Sequence, residues 1–420
     1  MYYVVISIAS GALAFVRILA VSKVLPSSDI AVFLSLQAVF YFAAYADLGM
    51  NQGVLHHETA AKTPSEIKSF QWILKTHFPV TFAGTVAIAT MLMNSIAPKI
   101  GGGYFVALFG SYAAGFMLQN SLQIKLRLLG RFNSLARLNL MIATISLLLA
   151  IFPFLAGTNA SLYYYLSTIP VATLFCCIIY ALNFRPGSKE NINPQVNTAE
   201  SLKFFRTGFA VSISGALFTF MMSLDRILVA KKQDDLYQWT TDYLFFVVLG
   251  GLVFTAGGLM GQKFYSLLFE DDQDLGGLLV KFSMRLVFLG VIFLAASYLL
   301  IIFFYPERAS NINLLPWIFA TQFMFTILAF VCQAIVVRRS RQAAILTIIP
   351  VLALHYFYLQ FFLFPAAEPA REVALYSMTQ ALVTIILAAS VFKFFYRDIL
   401  KFVSILLAVI ATVSLGQFVL

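Results

Sequence analysis

Charge is scarce in this sequence. Asp, Glu, Lys and Arg together make up 11% of its 420 residues, where a soluble globular protein carries about 25%. That deficit excludes an ordinary water-soluble fold. Cysteine is scarcer still: Cys176, Cys177 and Cys332 all fall inside apolar runs. They exclude a disulfide framework and a CxxC metal pair, and read as small core residues. No GxxxxGK[ST] phosphate loop is present, so the chain is not an ATPase by itself. The glycines at 101–103 read as a turn between apolar runs, and the HHE at 56–58 lacks HExxH spacing, so no metal site is expected. Long polar loops are missing on one side, which counts against a membrane polymerase, ligase or glycosyltransferase. Such enzymes need a sizeable outer loop for their catalytic groups, so no catalytic residues and no cofactor are assigned.

What the chain has is apolar length. It is 61% hydrophobic with a mean hydropathy of +0.88, and runs of ~20 apolar residues recur along it. Spans are expected at about 2–22, 30–46, 76–97, 103–124, 134–156, 161–182, 204–230, 237–259, 284–304, 313–336, 343–364 and 372–392. A further run at about 400–420 is a candidate thirteenth. The runs are continuously apolar and do not alternate, which favours helices over a β-barrel. The fold class is therefore an all-α polytopic membrane protein of 12 or 13 transmembrane helices. MYYVVISIASG lacks a basic stretch before its apolar run, so no cleavable signal peptide is expected.

The net charge of +10 lies mostly in short loops, which argues against nucleic-acid binding. Nineteen of the 28 lysines and arginines fall in the even-numbered loops and six in the odd-numbered ones. By the positive-inside rule the N-terminus and the even loops are cytoplasmic. The polar stretch NFRPGSKENINPQVNTAESLK, 183–203, divides the chain almost in half. It suggests an N-terminal six-helix lobe (1–183), a cytoplasmic linker (184–203), a C-terminal six-helix lobe (204–392) and an additional C-terminal helix (393–420). SGALAFVRILAVSK in span one and SGALFTFMMSLDRILVAKK in span seven share SGAL and R-I-L. A parallel duplication of six helices would produce that pattern.

Charges inside spans are costly, by ~2.5 kcal/mol or more on insertion scales, so they are functional candidates. Arg17 stands alone in span one, and Arg226 follows Asp225 in span seven. For both arginines the alternative is snorkelling to the headgroups. Successive helical residues point about 100° apart, so Asp225 and Arg226 are expected to find separate partners. Asp242 in span eight and His355 in span eleven are the other polar exceptions. His355 reads either as an interhelical hydrogen-bonding group or as a proton or cation coupling site. Arg137 reads as an interfacial anchor, and Asp47 as a cap on backbone N–H groups in a glycine-containing turn. Gln119, Asn120, Gln123, Gln322 and Gln333 are possible sugar-binding groups that nothing singles out.

RILAVSKVLPSSD at 17–29 and YADLGMNQGVLHHE at 45–58 resemble the first two spans of polysaccharide flippases. LDRIL at 224–228, before a short polar turn and a tyrosine-containing eighth span, is similar to their seventh. The family is that of the O-antigen (Wzx-type) flippases of the multidrug/oligosaccharidyl-lipid/polysaccharide exporter superfamily. The resemblance implies two six-helix lobes around a central cavity in the bacterial inner membrane. It also implies movement of an undecaprenyl-pyrophosphate-linked oligosaccharide to the periplasmic leaflet by alternating access. Membrane lipids would surround the protein, and the pathway's polymerase and chain-length proteins would be its partners. Arginine suits a pyrophosphate because its planar fork bonds phosphate bidentately. Arg17 and Arg226 are the expected headgroup ligands, with Asp225 or Asp242 holding the guanidinium when no substrate is bound. Proton or sodium coupling is expected at His355. The alternative is another exporter of the superfamily, cation-coupled and carrying a drug or another lipid-linked precursor.

Overall fold

A segment that crosses a bilayer must satisfy its backbone N–H and C=O groups along its own axis, because the hydrocarbon offers no partner. The computed structural model is accordingly helical. It describes residues 2–58, 69–183, 198–231, 238–267, 275–338, 341–363 and 369–391, with 401 and 404–405. Among these residues, six helices are long and apolar enough to count as spans by length and composition alone. The chain is a multi-pass membrane protein. The additional helix expected at 393–420, apart from 401 and 404–405, and the linker residues 184–197 lie outside the described residues.

The chain divides into two compact units, Met1–Thr219 with Val229–Gln233, and Phe220–Leu228 with Asp234–Leu420. The first contains α1 (Tyr2–Val24), α2 (Ser27–Phe40), α3 (Met50–Glu58), α4 (Phe70–Ile100), α5 (Gly102–Leu128), α6 (Phe132–Leu155) and α7 (Leu162–Asn183). A 3₁₀ turn, Tyr41–Tyr45, continues α2 to the length of a span. The expected three-glycine turn shrinks to Gly101, since α5 begins at Gly102. Within this unit α1 lies along α6, and α5 packs on α4 and α7.

The long helix α8 (Thr198–Lys231) contributes its residues up to Thr219 to this first unit. Its beginning crosses α3 at backbone contact: a Cβ on Gly53 would land on the Phe204 carbonyl, and one on Gly208 on the Gly49 carbonyl. Only glycine permits that approach. Phe204 is drawn there into a buried cluster with Met50, Val54, Trp72, Ile73 and Ile124.

The second unit contains residues 220–228 of α8 and then α9 (Gln238–Leu267), α10 (Leu275–Phe304), α11 (Leu315–Arg338), α12 (Arg341–Tyr358) and α13 (Pro369–Val391). A 3₁₀ segment, Pro306–Leu314, leads into α11. The helix α11 is the core of the unit, with 94% of an 18-residue stretch inside Pro306–Cys332 buried, and α9, α12 and α13 pack on it. The helix α10 is peripheral, with 17% of the corresponding 18-residue stretch buried. Its exposed Phe288, Ile292 and Leu299 present the apolar surface that lipid would cover.

Candidate functional site

In the first unit α1 carries Arg17 inward. The side chain is 2% exposed, and one guanidinium nitrogen (Nη1) donates to the Thr168 hydroxyl of α7 at 3.1 Å. That hydroxyl donates in turn to the Tyr165 carbonyl at 2.8 Å, so its free lone pair faces the arginine. Tyr112 of α5, also buried, donates to the Leu166 carbonyl of α7 at 3.1 Å. Among the described residues no carboxylate forms an ion pair with Arg17. A buried guanidinium has five donor hydrogens, and a single neutral acceptor leaves most of them for something else. Snorkelling is ruled out by burial.

Asp47 of this unit does what its sequence context suggests. Its carboxylate accepts from the backbone N–H groups of Gly49 at 3.1 Å and Asn51 at 3.0 Å, at the start of α3. Gln119 and Gln123 both donate to Asn139 across α5 and α6, so their amides serve helix packing. Arg137 is exposed near the start of α6. Lys125, expected in a loop, is buried on α5.

In the second unit Asp225 and Arg226 separate as expected. The Asp225 carboxylate accepts from the Tyr243 hydroxyl of α9 at 3.2 Å and from the Arg226 backbone N–H at 2.7 Å. Arg226 is half-buried, and its Nε is buried with no hydrogen-bond partner. His355 of α12 is 2% exposed. Its ring meets the Tyr376 hydroxyl of α13 and hydrogen-bonds the Met221 backbone. The expected interhelical bond is therefore present, with a partner 21 residues away.

Asp242 departs from expectation. It does not hold Arg226: one carboxylate oxygen accepts from Arg308 at 2.7 Å and the other from Asn311 at 2.8 Å. Arg308 is 4% exposed and stacks 4.7 Å from the Phe245 ring centroid. It is the important residue that sequence reasoning placed in a plain loop. No group of three or more metal-ligating side chains occurs among the described residues.

Comparison with solved structures fixes the class of the fold. An outward-facing multidrug resistance MATE family transporter of the MOP superfamily matches with a TM-score of 0.57 at 11% identity, covering 96% of this chain and 94% of that one. A MATE protein in complex with MaL6 matches with a TM-score of 0.59 at 11% identity, covering 96% of each chain. A variant of the Vibrio cholerae MATE transporter VcmN matches with a TM-score of 0.58 at 13% identity, covering 93% and 95%. The chain has the fold of MATE transporters of the MOP superfamily. No protein-family model matches the chain, and no curated protein sequence is similar to it.

Proposed function

We propose that the chain is an alternating-access membrane exporter whose cargo is an amphiphile with an anionic headgroup, of the undecaprenyl-pyrophosphate-linked oligosaccharide class. The bacterial inner membrane, with the N-terminus cytoplasmic, is the setting this reading requires. The observation that carries it is Arg17, a guanidinium buried in the first unit with one neutral acceptor. An unpaired buried cation is costly, and a phosphate group would offset that cost while bound. Arg226, half-buried and with a buried Nε that has no hydrogen-bond partner, is the second cation of this reading. Asp242 is left out of it, because both of its oxygens are occupied.

The second reading is a cation-coupled drug exporter. It is supported by the fold neighbours, one of which is a multidrug resistance transporter. The two readings part on the sign of the cargo's charge. Reconstituted vesicles should translocate an undecaprenyl-pyrophosphate-linked oligosaccharide and leave a lipophilic cationic dye untouched. Dye efflux without lipid translocation would establish the second reading in place of the first.

A further inference from the structure

The rim of the first unit, where α5 and α7 begin, gathers aromatic and polar groups that the cargo reading leaves unused. Tyr104, in the first turn of α5, donates its hydroxyl to the Tyr163 carbonyl at the start of α7, 2.8 Å away. The two rings meet edge to face, with centroids 4.5 Å apart. Tyr164 donates to the Leu149 carbonyl of α6 at 2.8 Å. Tyrosines that only mark a membrane interface keep their hydroxyls in the wet headgroup layer. Here the hydroxyls of Tyr104 and Tyr164 are bound to helix carbonyls, which fixes their rings, while Tyr163 stays 41% exposed. Room is left beside Tyr104, since a Cβ built on Gly101 or Gly103 would meet nothing within 4 Å. The turn that leads into α7 adds the exposed Asn159 and Ser161.

We propose that this rim is a carbohydrate-binding platform, on which a sugar of the cargo stacks against Tyr163 while Arg17 holds the pyrophosphate. The inference rests on the cargo reading above and adds the saccharide to it.

A pyranose presents a face of C–H bonds with hydroxyls around its edge. The face is complementary to the negative π face of a tyrosine ring. The hydroxyls suit an amide and a serine, each of which donates and accepts. A platform whose rings are already held in place loses little freedom on binding. The helix α7 sets the spacing: Tyr163 comes five residues before Thr168, the partner of Arg17, which is ~7.5 Å along the helix axis. In a lipid-linked oligosaccharide the saccharide is bonded directly to the pyrophosphate, so the two must be held at neighbouring places. Charge agrees with this, because no Asp or Glu occurs between 67 and 189. No carboxylate of α4, α5, α6 or α7 therefore repels the phosphates. The positive-inside orientation puts the turns before α5 and α7 on the periplasmic side, where the cargo is delivered.

The test is the affinity of purified full-length protein for undecaprenyl pyrophosphate with and without its oligosaccharide, read from the rise of melting temperature with lipid concentration. The wild type should prefer the saccharide-bearing lipid. In Tyr163→Ala the ratio of the two affinities should fall about two- to tenfold, the worth of one aromatic contact. Tyr163→Phe should keep the ratio, since the ring remains. Should Tyr163→Ala not be recovered folded, Tyr163→Leu, apolar without a ring, serves in its place. An unchanged ratio in the ringless variant, or a wild type that binds both lipids equally, overturns the platform and leaves the pyrophosphate reading standing. A loss in Tyr163→Phe as large as in Tyr163→Ala also overturns it, because the hydroxyl and not stacking would then be responsible. A wild type that binds neither lipid overturns the cargo reading and the platform with it.

Discussion

Two arginines of this protein are equally hidden and differently kept. Arg308 in the second unit donates to the Asp242 carboxylate, which Asn311 also fixes, and rests on the Phe245 ring. Arg17 in the first unit has a threonine hydroxyl and little else. The first arrangement neutralises its charge permanently and ties the segment before α11 to the start of α9. The second leaves charge in reserve. Burial alone therefore does not distinguish the two arginines; their partners do.

The largest expected effect comes from breaking the ion pair of Arg308 and Asp242. Arg308→Ala leaves the Asp242 carboxylate buried without its countercharge, a loss of about 3–5 kcal/mol. Little folded protein should then be recovered in detergent extracts. Replacing both partners, Arg308→Met with Asp242→Leu, should restore most of that stability, because an apolar pair leaves no orphaned charge. Thermal melting of the two variants checks this.

Arg17 should behave oppositely. Arg17→Ala is expected to keep wild-type abundance while translocation of the lipid-linked oligosaccharide falls ten- to a hundredfold. That range corresponds to losing about 1.5–3 kcal/mol of charge-assisted hydrogen bonding. Arg17→Lys should recover only part of the activity, because the ammonium keeps the charge without the planar fork. Vesicle translocation, normalised to protein recovered, is the measurement.

A smaller effect sharpens the contrast with an acidic group. Asp47→Ala removes a carboxylate whose partners are backbone N–H groups, and should cost about 0.5–2 kcal/mol, as helix caps do. Its melting curve should shift slightly and its translocation per folded molecule should not change.

Which of these features could be read from the sequence follows from how far apart the partners lie. The membrane helices were legible because their signal is local, a continuous apolar run. The Asp47 cap was legible too, since Gly49 and Asn51 are its near neighbours. That Arg17 and Arg226 were worth attention followed from the cost of charge in a span. Their surroundings were not legible: Thr168 is 151 residues from Arg17, and Arg308 is 66 from Asp242. Arg308 was hidden further because PERASNIN reads as an ordinary exposed loop, whereas it folds as a 3₁₀ segment that turns the arginine inward. The Gly53 and Gly208 crossing was invisible for the same reason, as each glycine makes sense only against a backbone far along the chain.

The central claim is that Arg17 holds its charge for an anionic cargo. The most direct test is the melting temperature of purified wild type and Arg17→Met, each with and without undecaprenyl pyrophosphate in detergent. A ligand that binds only the folded state raises the melting temperature by mass action. The account predicts that the lipid stabilises the wild type and leaves Arg17→Met unmoved, while the variant alone melts no lower than the wild type. Equal stabilisation of both proteins by the lipid, with Arg17→Met alone melting well below the wild type, would make Arg17 a structural residue and contradict it.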